Sequence, residues 1–395
     1  MAIYLDHAAT TALDPRVLEA MLPYLTEHYG NPSSIYASGR RTRQALDEAR
    51  ETVARVLSAK PREIVFTSGG TESNNLAVKG VAWAGSARGR HIVTSGVEHK
   101  GVLNACAVLE RKGFEVTYVP VDRYGGVDPG TVAEAITDAT TLVSVMAANN
   151  EVGTLQPVEE IGAVCRDRRV PFHTDAVQFA AFEPIDVDAW QASLVSLGAH
   201  KLYGPKGIGA LFVRHGTAIL PQVQGGSQER QRRAGTENVA GAVGFAAALA
   251  LVHGDQAARE AENRRQARLR DRLLAGLTEL EDVEVTGHPT RRLPNSASVV
   301  IDGVEGGDLV AALDLDGVEA STGSACTSGS TEASHVLLAM GIAERLARGS
   351  LRLSVGRGTT EADVDRALEV IAASVRRLRG MGAGAVELRA AAGAR

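Results

Sequence analysis

Short apolar runs alternate with helical patterns along the chain up to about residue 255. Runs of this kind, bounded by turn residues, are typical of buried strands. The predicted strands are 63–67, 91–95, 115–118, 141–146, 171–174, 194–197 and 208–213. Because strands that alternate with helices form mainly parallel sheets, this part of the chain predicts an α/β fold with ligands bound at the carboxyl ends of the strands.

Helix signals precede these strands. Asp14 followed by Pro15 is typical of a helix start, with Asp as the cap and Pro at the first helical position. A second helix, at about 42–57, places Ala45 and Ala49 on one face.

The pattern changes near residue 255. A long Arg- and Glu-rich helix at about 256–277 leads into a mixed region, and a helix capped by Thr360 and Asp363 closes it near residue 378. The strands predicted in this region are 283–285, 297–301 and 351–354. The predicted units are a large domain over 14–255, a smaller α+β domain from 1–13 and 256–380, and a flexible Ala- and Gly-rich tail over 381–395.

Composition narrows the classes of function. Hydrophobic residues make up 44% of the 395 residues, charged residues 23%, and the net charge is −5 without a block of like charge. We therefore expect a globular protein whose main partner is neither nucleic acid nor a membrane. The most apolar stretch, 239–252, is shorter than the roughly 18 residues of a spanning helix. No signal peptide precedes MAIYLDHAATT, so we expect a cytoplasmic protein.

The cysteines and lysines are few. Cys106, Cys165 and Cys326 include no CxxC pair, which argues against a disulfide framework or a zinc site. Only six of the 42 basic residues are Lys, and Lys201 lies in a glycine-rich turn between two predicted strands. Arg stays protonated, whereas a desolvated Lys can lose its proton and attack a carbonyl. Lys201 is thus either a Schiff-base lysine or an ordinary exposed loop lysine.

Polar residues follow the predicted strands. The turn over 68–73 contains Gly69 and Gly70 and feeds a helix, so it is either an anion-binding cup for a phosphate or a plain turn. Asp175 follows another strand, where it either pairs with a cation or caps a helix, and His99 follows a third. A lysine for an aldehyde, a cup for a phosphate, a carboxylate for a ring nitrogen and an imidazole to stack together specify pyridoxal phosphate.

The chain resembles the NifS/IscS group of cysteine desulfurases, in the type I fold of pyridoxal-phosphate enzymes. The resemblance covers nearly the whole chain except about the last 15 residues. It rests on YLDHAATT (4–11), GNPSS (30–34), FTSGGTESNN (66–75), VEHKGVL (97–103), NNEVG (149–153), HTDAVQ (173–178), GAHKLYGPKG (198–207), RRAGTEN (232–238) and STGSACTSG (321–329). It implies a mainly parallel seven-stranded sheet in the large domain.

The resemblance also implies roles for single residues. Lys201 would form the Schiff base, Asp175 would pair with the pyridinium nitrogen and His99 would stack on the ring. The other cofactor contacts would be Gln178 and Asn150 near the ring oxygen, and Gly70, Thr71 and His200 at the phosphate. Thr236 would reach the phosphate of a neighbouring subunit, which implies a homodimer. Arg352 would clamp the substrate carboxylate, and Asn150 would also contact the substrate. Many relatives have Ser where this chain has Gly198, so that position can offer only a backbone N–H.

Cys326 is the second predicted reactive centre. It lies in a stretch of small polar residues that is typical of a mobile loop, whereas Cys106 and Cys165 lie in helical patterns typical of a core. The resemblance implies that Cys326 collects sulfur from L-cysteine as a persulfide, leaves L-alanine, and passes the sulfur to an acceptor such as an iron–sulfur scaffold or a tRNA-thiolation enzyme. It also allows Cys326 to ligate a transient iron–sulfur cluster shared with a scaffold.

Three alternatives stay open at this point. An aminotransferase of the same fold needs no thiol, a selenocysteine lyase differs in its substrate, and a protein that serves mainly as an assembly platform would tolerate loss of Lys201.

Overall fold

The computed structural model describes residues 2–323 and 333–393. The strands are β1 (Ile3–Tyr4), β2 (Ile64–Thr67), β3 (His91–Ser95), β4 (Glu115–Val119), β5 (Thr140–Ser144), β6 (Phe172–Asp175), β7 (Leu194–Gly198), β8 (Gly209–Val213), β9 (Val283–Val285), β10 (Ser296–Ile301), β11 (Val318–Glu319) and β12 (Ser350–Ser354). The helices are α1 (Pro15–Thr26), α2 (Ala37–Val56), α3 (Gly70–Gly85), α4 (Lys100–Glu110), α5 (Pro129–Ala135), α6 (Val158–Asp167), α7 (Gln228–Gln231), α8 (Val239–His253), α9 (Gln256–Thr278), α10 (Gly306–Leu315), α11 (His335–Ala339), α12 (Glu344–Ala347) and α13 (Glu361–Gly393).

The large sheet has seven strands in the order β2-β8-β7-β6-β5-β3-β4. Strand β8 runs antiparallel to both of its neighbours, and the remaining pairs are parallel. The predicted α/β fold with a mainly parallel sheet is therefore confirmed. Strands β2, β3 and β5 to β8 are buried along their whole length, which explains why each reads as an apolar run rather than an alternating pattern.

A second, smaller sheet is antiparallel, in the order β12-β10-β9. Its core joins residues that are far apart in the sequence: Leu5, Leu273, Ile301, Leu353 and Ile371. Strand β1 pairs in parallel with β11 in a separate two-stranded sheet, and Asp6 forms a bridge with Ser354 of β12, so the first residues of the chain lie beside this second sheet. The domain boundaries themselves stay a prediction.

Several element boundaries differ from the sequence prediction. Helix α2 begins at Ala37 rather than near residue 42, and α13 continues to Gly393, so the predicted end near residue 378 is wrong. The extension is rich in Ala, the residue with the highest helix propensity. The predicted N-terminal caps of α1 and α13 are present. Asp14 accepts a hydrogen bond from the Arg16 N–H, and Thr360 and Asp363 each accept one from the other's backbone N–H.

No single helix within residues 2–323 and 333–393 is both long and apolar enough to cross a membrane. Helices α8 and α9, bent by 80° where they meet, pass that test of length and composition only as a pair.

Candidate active site

The carboxyl ends of the parallel strands surround a cavity of about 380 Å³, which we call the front cavity. Most of the predicted site residues line it: Gly70, Thr71, His99, Asn150, Asp175, Gln178, His200, Lys201 and Arg352. Gly198 lies beside the cavity, where an added Cβ would come within 3.5 Å of the Gly70 nitrogen. Thr236 is exposed and does not line the cavity, and Cys326 lies outside the described residues.

Neighbouring strands bring the two central groups together. Strands β6 and β7 are parallel and adjacent, with Asp175 opposite Ser196. Asp175 is the last residue of β6, and Lys201 ends a short 3-10 helix that follows β7 directly. The sheet therefore places a carboxylate and an amine at the same edge, as the sequence predicted.

The Asp175 carboxylate is nearly buried and is held by two donors. Asn74 Nδ2 donates to one oxygen at 2.6 Å, and the backbone N–H of Val177 donates to the other at 3.0 Å. A carboxylate oxygen that faces an enclosed cavity needs a cationic partner. A protonated pyridine nitrogen matches this requirement. Asn74 was not predicted, although it lies in the FTSGGTESNN motif one helical turn after Gly70.

Lys201 reaches back to the N-terminal segment. Its Nζ donates to the backbone oxygens of Ala8 and Ala9 at 2.5 and 2.6 Å. Gln178 Nε2 also donates to the Ala8 oxygen, at 2.9 Å. The YLDHAATT motif therefore forms one wall of the cavity through its backbone, which side-chain patterns cannot reveal.

His99 has a capping role that fixes its tautomer. It is the N-cap of α4, and its Nδ1 accepts the backbone N–H of Gly101 at 3.0 Å. The accepting nitrogen carries no proton, so the proton of the neutral ring lies on Nε2. Glycine at 101 allows this approach, because an added Cβ would lie 3.0 Å from Nδ1.

His200 is a neutral group at neutral pH. Burial, helped by the charges of Lys201 and Lys206, lowers the pKa of His200 to about 4. Its Nδ1 lies 3.2 Å from Thr10 Oγ1. A neutral imidazole can donate a single N–H to an anion.

The start of α3 has the geometry of an anion site. Gly69 has a φ of 152°, which a residue with a side chain rarely adopts, and the 16-residue helix begins at Gly70. An added Cβ at Gly70 would lie 2.5 Å from Val177, so this N-terminus packs tightly against the loop after β6. Backbone N–H groups and the helix dipole favour a phosphate there.

Arg352 is already engaged by protein groups. It lies on β12, only 3% exposed, and its Nη2 donates to Asp6 Oδ1 at 2.6 Å. Its Nη1 donates to the backbone oxygen of Asn150 at 2.9 Å. Asp6 was not predicted as a site residue. The guanidinium is therefore fixed in the cavity wall before a substrate binds.

The two other cysteines are buried, and burial makes their thiols unreactive. Cys106 on α4 and Cys165 on α6 are 0% and 1% exposed, and burial raises the pKa of each to about 12. The prediction that both fill the core is confirmed.

The residues present fit pyridoxal phosphate. A lysine amine, a helix N-terminus that suits a phosphate and a buried carboxylate face one cavity of about 380 Å³. The amide oxygen of Asn74 is buried and has no hydrogen-bond partner among the described residues, so it is one further unpaired polar atom at this site. The donor set thus matches the aldehyde, phosphate and ring nitrogen of that cofactor.

Comparisons with known proteins agree with this chemistry. The aminotransferase class-V family model matches residues 3–367. The cysteine desulfurase IscS of Methanosarcina thermophila is 51% identical over 380 residues, which cover 96% of this chain and 93% of that protein. A solved structure described as a NifS-like protein superposes with a TM-score of 0.88 at 38% identity, over 94% of this chain and 98% of the other.

A second solved structure, with cysteine bound, is also similar to this chain. "SspA in complex with cysteine" has a TM-score of 0.79 and 36% identity, over 89% of this chain and 98% of that one. Both the fold and the sequence therefore match over nearly the full length. The chain belongs to the aminotransferase class-V family, within its group of pyridoxal-phosphate-dependent cysteine desulfurases.

Proposed function

We propose that this protein removes sulfur from L-cysteine through Lys201 and Cys326 and leaves L-alanine. The observation that carries the proposal is the convergence of Lys201, Asp175, His99 and Arg352 on one cavity. The family relationship supports the activity, and the geometry supports the assignment of these four side chains.

The cofactor would be held at three main points. Lys201 would bind its aldehyde, Asp175 its ring nitrogen, and the N-terminus of α3 its phosphate. The residues proposed for the remaining contacts are His99 on the ring face, Asn150 and Gln178 near the ring oxygen, Thr71, His200 and the Gly198 N–H at the phosphate, and Thr236 of a second subunit. When bound, the cofactor supplies an electron sink for negative charge at the substrate Cα.

Other side-chain roles are binding of the substrate and transfer of protons. Arg352 holds the substrate carboxylate, and its bonds to Asp6 and Asn150 keep the guanidinium in place. Lys201 takes the Cα proton. His99, whose Nε2 carries a proton in the neutral ring, would donate that proton to the carbon that loses sulfur.

Cys326 is the proposed sulfur acceptor. Its thiolate attacks the substrate sulfur, a sulfur–sulfur bond forms, and the carbon–sulfur bond breaks with its electron pair staying on carbon, which then takes a proton. Support comes from the STGSACTSG motif and from elimination, since Cys106 and Cys165 are buried with raised pKa values. Gly323, which lies three residues before Cys326 in this motif, lines the cavity.

A homodimer, a cytoplasmic location and a sulfur-acceptor protein complete the proposal. Exposed apolar residues cluster between α1 and α2, with Tyr29 and Ile35 84% and 89% exposed. A surface of this kind favours a protein interface. Thr236 is also exposed and outside its own cavity, as a residue that serves a partner's site would be. An iron–sulfur scaffold or a tRNA-thiolation enzyme would accept the sulfur, and Cys326 could ligate a cluster on such a scaffold.

The test is Cys326→Ser, compared with Cys165→Ala. We expect Cys326→Ser to keep the visible absorbance of the bound cofactor but to release no sulfide from cysteine, and Cys165→Ala to keep both. Wild-type sulfide release by Cys326→Ser would contradict the role of that thiol. A keto acid in place of alanine as the product would indicate an aminotransferase instead.

A further inference from the structure

Glu151, the glutamate of the NNEVG motif, contacts both residues that flank the segment 324–333, which contains Cys326. On the N-terminal flank its side chain packs against Gly323, where an added Cβ would lie 3.4 Å from Oε2. On the C-terminal flank the hydroxyl group of Ser334 donates a hydrogen bond to the same oxygen. Glu151 and Ser334 are 5% and 2% exposed, so this contact is shielded from water.

The backbone of Glu151 is fixed to the wall of the front cavity. Its N–H donates to Asn149 Oδ1 at 2.8 Å, and Asn149 Nδ2 in turn donates to the backbone oxygen of Val97 at 2.9 Å. The residue between them, Asn150, lines the front cavity, and its backbone oxygen accepts from Arg352. The Glu151 carboxylate therefore extends from a turn that is held on both sides.

The N-terminal flank is fixed independently of Glu151. Ser321 exchanges two backbone hydrogen bonds with Arg352 on β12, at 3.2 and 2.7 Å. Gly323, two residues further on, lines the front cavity with a φ of 88°, a conformation that favours glycine. Strand β12 therefore sets the position of this flank, and the Glu151 carboxylate lies beside it.

The C-terminal flank is the start of α11, which contacts two segments of the cavity wall. Ser334 caps this helix by accepting the backbone N–H groups of the next turn, and it donates its own proton to Glu151. His335 Nε2 lies 3.0 Å from the backbone oxygen of Glu98, which can only accept, so Nε2 is the donor. The start of α11 is thus joined to the turn of Glu151 and to the residue directly before His99.

We propose that Glu151 is a positioning residue for the transfer of sulfur to Cys326. This inference rests on the proposed function of Cys326. Through its bond with Ser334, Glu151 fixes the C-terminal flank of the segment 324–333 beside the flank that β12 already fixes. Fixed flanks limit the positions that the residues between them can reach, because each residue of a chain spans at most about 3.6 Å. Glu151 thereby favours positions of the thiol close to the substrate sulfur.

The test is Glu151→Ala in the enzyme loaded with the cofactor, with two rates measured. The first is the formation of the Cys326 persulfide in a single turnover with cysteine, followed by mass spectrometry. It should fall about 10- to 100-fold, because transfer between two groups slows steeply when one of them is misplaced. The second is the exchange of the Cα proton of L-alanine for deuterium, which needs Lys201 but no thiol, and it should stay within about twofold of wild type.

Two results would overturn the proposal. A wild-type rate of persulfide formation in Glu151→Ala would show that the contact with Ser334 does not matter for sulfur transfer. An equal fall of both rates would show that Glu151 supports the cofactor site or the fold as a whole and does not act on the thiol.

Three further variants isolate the hydrogen bond. Ser334→Ala removes its donor and should slow persulfide formation while Cα proton exchange continues. Glu151→Gln keeps an accepting oxygen and should recover part of the rate that Glu151→Ala loses. The matched control is Glu63→Ala, since Glu63 is also buried and accepts the backbone N–H groups of Lys60 and His215, but it does not line the front cavity. Both of its rates should be those of wild type.

Each of these variants can also contradict the proposal. Wild-type persulfide formation in Ser334→Ala, or a rate in Glu151→Gln no higher than in Glu151→Ala, would show that this hydrogen bond is not the cause. Slow persulfide formation in Glu63→Ala would show that the loss of any buried carboxylate has the same effect.

A failure of the thiol assignment is distinguishable from a failure of this inference. If Cys326→Ser released sulfide at the wild-type rate, the proposed function of Cys326 would be wrong whatever the Glu151 variants do. If Cys326→Ser released none and Glu151→Ala formed the persulfide at the wild-type rate, only the positioning role of Glu151 would be wrong.

Discussion

The ends of β6 and β3 each carry a buried carboxyl group, and the surroundings of the two groups differ. Asp175 ends β6, faces the front cavity and accepts hydrogen bonds at both oxygens. Glu98 follows β3 and is 0% exposed, and burial, with a smaller contribution from the charge of Asp175, raises its pKa to about 8. Glu98 is therefore neutral at neutral pH, whereas Asp175 is placed to receive a cation.

The difference arises from the donors that surround each group. Glu98 Oε1 accepts from Ser95 Oγ at 2.7 Å and from the Met146 N–H at 2.9 Å, but Oε2 has no partner among the described residues. Asp175 accepts one hydrogen bond at each oxygen and also faces the front cavity. An acidic residue at a strand end is thus not enough to mark a cofactor site, and what matters is whether a cation can reach it.

Asp175→Asn tests the member of this pair that faces the front cavity, and it should have the largest effect. Removal of the negative charge leaves a protonated ring nitrogen without its partner, and breaking a buried ion pair costs about 3–5 kcal/mol. We expect kcat/KM for cysteine to fall roughly 100- to 1000-fold, measured by alanine release. A fall of less than tenfold would contradict the pairing.

Asn74→Ala removes the donor that holds Asp175. A hydrogen bond to a charged group contributes about 1.5–3 kcal/mol, so kcat/KM should fall about 10- to 100-fold. The matched control is Asn75→Ala on the same helix, since Asn75 Nδ2 donates to the backbone oxygens of Thr71 and Gly101 rather than to Asp175. Equal effects of the two variants would show that Asn74 acts on α3 and not through Asp175.

His99→Asn separates the two roles of His99 at the end of β3. Asn is a good N-cap, so the thermal stability of the variant should stay close to wild type. Loss of the aromatic ring should weaken binding of the cofactor about two- to tenfold, which corresponds to an aromatic contact of about 0.5–1.5 kcal/mol. His99→Ala should lose both activity and stability, and the cap assignment would be wrong if His99→Asn were equally unstable.

Glu98→Gln should have the smallest effect on catalysis, less than about twofold, because the amide resembles the neutral acid and keeps the accepting oxygen. Its effect on stability should depend on pH. Below about pH 4.5 the carboxyl group is protonated in both the folded and unfolded chain. Between about pH 4.5 and 8 only the unfolded chain loses the proton, so wild-type stability falls as the pH rises.

Chemical unfolding at a series of pH values checks this sign. The free energy of unfolding of Glu98→Gln, relative to wild type, should increase from pH 4.5 to pH 8. A difference that is constant over this range would show that Glu98 is ionised in the folded protein.

The sequence predicted β3 over its observed length, because an apolar run bounded by turns is a strong strand signal. It placed the end of β5 two residues too late, since Val145 and Met146 are buried and apolar although the ladder ends at Ser144. The Met146 N–H bonds the Glu98 carboxyl group instead of a neighbouring strand, a contact between residues that are 48 positions apart. Hydrophobic patterns report burial and carry no information on such partners.

The contacts of the site also fall into those that the sequence could predict and those that it could not. Side chains at strand ends, such as Asp175 and His99, could be predicted because parallel strands share one edge. The backbone oxygens of Ala8 and Ala9 and the salt bridge from Asp6 to Arg352 could not, because they join segments that only the folded chain brings together.

The central claim is that Lys201 binds pyridoxal phosphate, and one measurement tests this claim most directly. The protein loaded with the cofactor is reduced with borohydride, digested and analysed by mass spectrometry. We predict a phosphopyridoxyl group on Lys201 and none on Lys206, which lies five residues further along the same turn. A label on Lys206 or on another lysine, with Lys201 unmodified, would contradict the account.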